Sequence, residues 1–421
     1  MDKTLNVNKL DTEKLFLSVL IITSSMMIVK YSVFTLFFLL MIILLGYIYL
    51  KTKHIFLTCD YLVNYIFIEL IISTIFAFFS DIWGSYKKCA FIVTFLYLPI
   101  YFIYAYFEKV LKDNLQLFTS IAKAIKCACL IELLWCFMQF ILYHTAGIDI
   151  NKFLFTDVFH FVDVASCFKD GKFLPSGLCW HAAYMAPIVI YSYLFNNNIT
   201  IKLLAVIDAV LCGNSTALIG ISVCVCMDAF FCILRLIRAK KITVKKIFFW
   251  SITVAFFVML YILIRYQIAK YIWDKVWFTI LRATGGVADA SADAHIRYYT
   301  SYFQVLDFSS IQQILFGFGF GCSGYPFSAI YGQYAYLKSW VTETDIMNIL
   351  LSRGVLGFLG YYYFLFYIAF RGYKLDYRYF VIIISTIICG VTYNIQFDWL
   401  FLYELFLYIA VKNGKNIFQS K

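Results

Sequence analysis

Charged side chains are scarce in this sequence. Asp, Glu, Lys and Arg make up 14% of its 421 residues, against about a quarter in a soluble domain, so an ordinary water-facing surface is excluded. Proline is scarcer still, 4 in all, and no proline- or serine-rich linker divides the chain. No repeat with a period of about 20 to 50 residues is evident, which sets aside solenoids and propellers. The 13 cysteines form no C-x-x-C pair and lie mainly in apolar runs, where a thiol behaves as a small hydrophobe; metal binding is not expected. No soluble nucleotide-binding domain is attached, which weighs against an ATP-driven pump.

What fills the chain instead is apolar: 63% hydrophobic residues and a mean hydropathy of +0.82. Apolar runs of about 15 to 25 residues recur along nearly the whole length, each long enough to cross a hydrocarbon core of ~30 Å as a helix. Spans are predicted to begin near Leu15, Val33, Ile55, Cys89, Leu117, Trp180, Thr200, Ser215, Ile247, Asp345, Phe380 and Asp398, about twelve in all. The fold class is therefore all-α, a polytopic membrane protein read as one domain over residues 1–421. The polar start, Met1 to Lys14, carries no small-residue cleavage site, so the first span reads as an uncleaved signal anchor.

Lys and Arg orient the spans, because positive flanks are retained in the cytoplasm. Arg235, Arg238, Lys240, Lys241, Lys245 and Lys246 crowd one short loop. Lys51 and Lys53, Lys109 and Lys112, and Arg371, Lys374 and Arg378 fall in loops of the same parity. Both termini are accordingly predicted in the cytoplasm, with the long loops 145–179 and 265–342 facing outward. The formal net charge of +11 is mostly this topology meeting anionic membrane lipid, and no nucleic-acid partner is expected.

Seven acids fall within the predicted spans: Asp60, Glu69, Glu132, Asp208, Asp228, Asp398 and Glu404. A charge at mid-bilayer costs at least ~2.5 kcal/mol, so each needs a reason. Asp60, Asp228 and Asp398 lie near span ends and are expected to reach water, and Lys126 stands near enough to neutralise Glu132. Glu69 and Glu404 have no such explanation. Cys167 and Cys179 share the first outward loop, where a disulfide is possible; Cys127 with Cys129, and Cys224 with Cys226, diverge at i,i+2 on helices.

The polar segment from Arg265 to Glu343 interrupts the apolar chain and holds its chemistry-bearing side chains. From Asp289, SADAHIRYYTSYFQVL reads as a helix lying along the membrane surface, with Tyr298, Tyr302 and Leu306 at near-helical spacing. His295 and Arg297, two positions apart, point ~200° apart and cannot serve one site. LFGFGFGCSG spells G-x-G-x-x-G with Gly319, Gly321 and Gly324, but no parallel strand precedes it, so a tight re-entrant turn is expected rather than a dinucleotide site. Thr342 and Asp345 form a T-x-x-D capping box with Thr342 as N-cap. Glu343 is left without a capping duty at the positive end of a helix dipole, suited to act as a general base, or simply as a solvated first-turn acid. Gly354, Gly357 and Gly360, three apart, predict a smooth ridge for helix packing.

Together these segments resemble the bacterial O-antigen and capsular polysaccharide polymerases (Wzy-type) and the related O-antigen ligases. Asn214-Ser215-Thr216-Ala217-Leu218 looks like the family's Ser-rich span start; Arg297 followed by LFGFG resembles its Arg helix and glycine segment; Glu343 to Gly357 resembles the ligase pattern HNxxLxxLxxxGxxG. Glu343 stands where ligases carry His, and Thr344 replaces the usual Asn, which favours polymerase over ligase. The earlier family Arg is missing from LPSGLCWH, with Lys172 the nearest cation.

The resemblance implies a GT-C-like membrane glycosyltransferase in the bacterial inner membrane, active on its outer face. Its reaction would be transfer of a glycan from an undecaprenyl diphosphate carrier to the non-reducing end of another lipid-linked repeat unit, inverting and without metal or cofactor. A flippase and a chain-length regulator are the partners such an enzyme works beside. It places Arg297 on the diphosphate, with Arg282 and Lys275 as alternatives, and Glu343 as the base. Tyr298, Tyr299, Tyr302, Trp273 and Trp277 are either sugar-stacking surfaces or ordinary interfacial anchors. Lys172 and His181 complete the substrate-binding candidates. The rival readings are an O-antigen ligase and a lipid-linked oligosaccharide flippase or other secondary transporter; the latter predicts paired halves, broken midplane helices and charges inside the spans.

Overall fold

The computed structural model describes residues 2–28, 30–31, 34–113, 115–161, 168–169, 172–179, 181–238, 298–331, 342, 344–394 and 399–418. Its contacts gather into two compact units, Met1–Ile221 with Tyr298–Lys421, and Ser222–Arg297. Of the second unit the described part is a single helical stretch, residues 222–238.

The first unit is built from helices: α1 (Asp2–Ser24), α2 (Leu36–Thr52), α3 (Tyr61–Phe79), α4 (Gly84–Asp113), α5 (Leu115–Ala146), α6 (Met185–Phe195), α7 (Ile199–Leu211) and the start of α8 (Ser215–Arg238). After residue 297 come three short helices, α9 (Tyr302–Phe308), α10 (Ile311–Phe316) and α11 (Tyr325–Tyr331), and then α12 (Asp345–Tyr373), α13 (Tyr377–Thr392) and α14 (Trp399–Lys412). Two small antiparallel hairpins, β1 (Lys30–Tyr31) with β2 (Phe34–Thr35) and β3 (Phe168–Lys169) with β4 (Lys172–Phe173), sit in loops.

Among the described residues, five helices are long and apolar enough to cross a membrane: Tyr61–Phe79, Gly84–Leu111, Leu117–Ala146, Ser215–Arg238 and Asp345–Tyr373. The apolar helices Lys14–Ser24, Leu36–Thr52, Ala182–Phe195 and Tyr377–Thr392 are shorter. The chain is thus an all-α protein with the helices of a membrane-embedded one. The predicted Thr200 and Asp398 spans correspond to α7 and α14, and the Ile247 span lies outside the described residues.

Local sequence sets the helix starts. Asp60 accepts from the backbone N–H of Leu62 and Val63, capping α3, Asp376 does the same for Arg378 at α13, and Asn198 for Thr200 at α7. Two helices are apolar all round and therefore lie in the centre: every residue of α14 from Trp399 to Val411 is buried, as are most of α6. By contrast α3 turns Tyr61, Ile68 and Ile75 outward, as expected of a helix with one face toward lipid. Cys127 and Cys226 are exposed while Cys129 and Cys224 are buried, in line with the divergence expected from their spacing. Cys179 is buried, and Cys167 lies outside the described residues.

The two ends of this bundle carry different chemistry. At one, here the ionic end, Lys412 bridges Asp60 at 2.5 Å and Glu108 at 2.6 Å, and Tyr408 adds a hydrogen bond to Asp60 at 2.9 Å. Asp376 pairs with Arg378 at 2.8 Å and accepts from Asn416 at 3.2 Å. The expectation that Asp60 reaches water is corrected: it is 5% exposed, held inside by its cap duty and by Lys412. The Lys126–Glu132 pairing is also corrected. Glu132 instead accepts from Ser25 Oγ at 2.8 Å and from the Leu178 N–H at 2.6 Å, because the loop after β4 folds back onto α5.

Candidate functional site

The opposite end is lined by hydroxyls and amides. Ser323 donates to Asn348 Oδ1 at 2.7 Å and receives the Thr342 N–H at 2.8 Å. Asn348 donates on to Asn394 at 3.2 Å. Next to Asn394, Tyr393 stacks on His181, ring centroids 5.2 Å apart and 6° from parallel, with Tyr184 edge-on at 5.8 Å. Thr392 donates to Thr216 at 3.0 Å, tying the start of α8 to the end of α13. This amide end thus joins the starts of α6, α8 and α12 to the end of α13.

Asp345 lies beneath this network, fully buried at the first turn of α12. It fits because position 390 is glycine: a Cβ there would meet Asp345 Oδ2 at 2.6 Å. The predicted capping box is corrected. Thr344, not Thr342, is the N-cap residue, and its side chain makes no capping bond; Thr342 is drawn away to Ser323 through both its N–H and its hydroxyl. Tyr299 donates to the Val391 carbonyl at 2.8 Å, and burial raises its phenol above the ordinary value. Below, Tyr361 donates to Glu404 at 2.6 Å, which gives that acid a partner.

The polar loop meets the bundle at a break. Residue 354 of α12 has φ 67 and ψ −172, a conformation glycine alone adopts readily. The break leaves the Leu351 and Ser352 carbonyls to accept from Phe318 N at 2.7 Å and Gly319 N at 3.1 Å, and Ser73 Oγ also reaches Ser352 O at 2.6 Å. Interrupted backbone inside a membrane bundle needs such replacement donors. Gly317 and Gly354 permit the approach, since a Cβ at either would stand 2.3–2.4 Å from backbone of the other segment. The glycine ridge expectation is therefore corrected at Gly354, which breaks the helix; Gly357 and Gly360 do pack closely, against Glu69 and Tyr65 of α3.

Immediately before the break, Arg353 binds Glu69 through Nε at 2.7 Å and also through Nη2. Arg353 is fully buried and Glu69 4% exposed. Sequence reading missed this arginine, although an Arg inside ILLSRGVLGFLG was the signal: a cation in an apolar run demands an acid.

Of the predicted site residues, Glu343, Arg297, Arg282 and Lys275 lie outside the described residues, as do Trp273 and Trp277. Lys172 is described through its backbone, paired with Lys169. His181 caps the turn Ala182–Tyr184, its Nδ1 accepting the Ala183 N–H at 3.2 Å. Tyr298 is buried edge-on against Phe327 at 5.0 Å, and Tyr302 is half-buried on the same cluster. The structure therefore brings His181 to the amide network and sets Tyr298 in packing. Among the described residues no three His, Cys, Asp or Glu side chains converge on a metal-sized site. The cluster offers neutral donors and acceptors beside aromatic rings, the complement of a hydroxyl-rich ligand. The sequence matches no protein-family model and no curated protein.

Proposed function

We propose that the chain is a membrane glycosyltransferase of the polysaccharide-polymerase kind, moving a glycan from an undecaprenyl diphosphate carrier to another lipid-linked repeat unit. The observation that carries this reading is the amide end: Ser323, Thr342, Asn348 and Asn394 form one hydrogen-bonded chain beside Tyr393 and His181. Neutral amides and hydroxyls next to ring faces suit sugars better than ions. About twelve spans, cytoplasmic termini and an outward-facing amide end in the bacterial inner membrane complete the reading, on the strength of the Lys and Arg distribution. The diphosphate leaving group is already activated, so the chain must supply a cation for the departing charge and a base for the acceptor hydroxyl. Arg297 and Glu343 take those roles, with Arg282, Lys275 and Lys172 as further cations. Direct in-line attack inverts the anomeric centre.

The test is to give the purified protein a synthetic diphosphate-linked repeat unit and look for a ladder of longer products. A ladder supports polymerase; products that never exceed one unit remove it. Transfer of a single glycan to a lipid A core or a protein would indicate a ligase instead.

A second reading, a transporter of lipid-linked oligosaccharide, is favoured by one observation: α12 is broken at Gly354 beside the buried Glu69–Arg353 pair, and interrupted helices with charges inside the bundle are features of transporters. Flipping of a fluorescent lipid-linked sugar in proteoliposomes without elongation would favour it.

A further inference from the structure

Where α3 ends, a cleft of about 580 Å3 opens between its last turn and α9–α10, within the ~300–1,000 Å3 range of small-ligand sites. Its floor is aromatic. Phe76 stacks on Phe316 at 4.7 Å and 21°, and Phe79 and Phe308 join it. Phe79 is 86% exposed and Phe308 50%, so ring surface is presented rather than consumed by packing.

The rim is polar, and most of its hydrogen bonds are already spoken for. Ser80 Oγ donates to the Ala77 carbonyl, and Tyr325 OH to the Asp81 carbonyl. Ser310 and Gln313 close a capping box in which Ser310 Oγ takes the Gln313 N–H and Gln313 Oε1 takes the Ser310 N–H. These bonds leave a ligand the Gln313 amide NH2, the Gln312 amide and the Asp81 carboxylate. Amide donors beside a carboxylate acceptor match vicinal hydroxyls, each of which donates once and accepts, while the apolar face of a pyranose ring covers an aromatic one.

Charge decides between candidate occupants. Among the described lining residues Asp81 is the one Asp, Glu, Lys, Arg or His, and nearby Lys87 is occupied on the Phe78 carbonyl at 3.0 Å. A phosphate would be repelled by Asp81, and a prenyl chain would strand the Gln313 amide NH2, the Gln312 amide and the Asp81 carboxylate without partners. We propose that this cleft binds a neutral oligosaccharide segment. The inference stands on the cleft itself; under the polymerase reading it adds a hold on the glycan away from the transfer centre.

Saturation-transfer NMR on the purified full chain tests it, with maltotriose and cellotriose as neutral probes and geranylgeranyl diphosphate as the lipid probe. Expected are saturation of at least one trisaccharide and an affinity about three- to tenfold weaker in Phe79→Ala, with a similar loss in Gln312→Ala. Both positions are exposed, so both variants should fold. No trisaccharide signal, signals unchanged in the two variants, or binding of geranylgeranyl diphosphate alone that Phe79→Ala abolishes would each overturn the proposal. Binding is read without turnover, so a protein that binds the trisaccharide but makes no ladder would sink the polymerase reading and keep this one.

Discussion

The ionic end and the amide end spend their polar groups in opposite ways. At the ionic end charges are consumed by one another: Lys412 by Asp60 and Glu108, Arg378 by Asp376. The Lys412 contacts join α3, α4 and α14, and Asn416, donating to Asp376, fastens the segment after α14 to the start of α13. At the amide end the joining groups are neutral and the helix starts crowd together around Asn348 and Asn394. One end is a clamp of opposite charges; the other is tied by neutral hydroxyls and amides. Between them, the Glu69–Arg353 pair secures the broken α12 to α3.

The largest expected effect lies at that middle layer. Arg353→Ala leaves Glu69 buried without its cation, which costs about 3–5 kcal/mol, so the thermal unfolding midpoint and the folded yield should fall sharply. The double change Glu69→Leu with Arg353→Met should recover much of the loss; if it does not, the pair is more than a structural tie. Next come Glu343→Gln and Arg297→Ala, expected to lower elongation by about 10² or more with unchanged expression. Wild-type rates in both would place the chemistry elsewhere. Gly354→Ala forces a Cβ to within 2.4 Å of the Leu315 carbonyl carbon and oxygen in a left-handed conformation, for about 1–3 kcal/mol, measured as a drop in unfolding midpoint. Little or no drop would mean that α12 straightens at small cost.

The smallest effect is the pH response of the ionic end, whose contribution should not change over the neutral range. Burial alone would raise Asp60, but Lys412, the Val63 N–H and Tyr408 outweigh it and hold its carboxyl below the ordinary range. Asp376 is likewise held down, its Arg378 and Asn416 contacts overcoming burial. A depressed carboxyl contributes stability that is complete above its unfolded pKa of about 3.9 and lost as pH falls through the folded value. Unfolding midpoints should thus be flat in this contribution from pH 7 to about 5 and decline below about 4. Lys412→Met lets the folded Asp60 carboxyl rise toward its unfolded value, so its share of the acid decline should shrink. A decline of unchanged size would show that Lys412 does not hold Asp60 down.

How much of this was legible beforehand can be judged residue by residue. Hydropathy located the helices, because a segment long enough to span and free of charge has few other stable states. Spacing told that Cys127 and Cys129 diverge and that Gly357 and Gly360 share a packing face. Gly354 looked like a member of the same ridge, since periodicity alone does not distinguish a glycine that permits packing from one that breaks a helix. Thr342 looked like a cap because the pattern ignores competing partners, and Ser323, nineteen positions earlier, is such a partner. Arg353 and Glu69, 284 positions apart, carry no mutual signal in the chain.

Composition and hydropathy by themselves determined that this is an all-helical protein with spans suited to a membrane, since continuous apolar runs of about 15 to 25 residues are too long for barrel strands and satisfy their backbone as helices. Which acid meets which base, where α12 breaks, and that hydroxyls gather at one end while ions close the other were decided by tertiary structure. Those outcomes depend on segments from tens to hundreds of residues apart meeting at hydrogen-bond distance, and no local pattern encodes such a meeting.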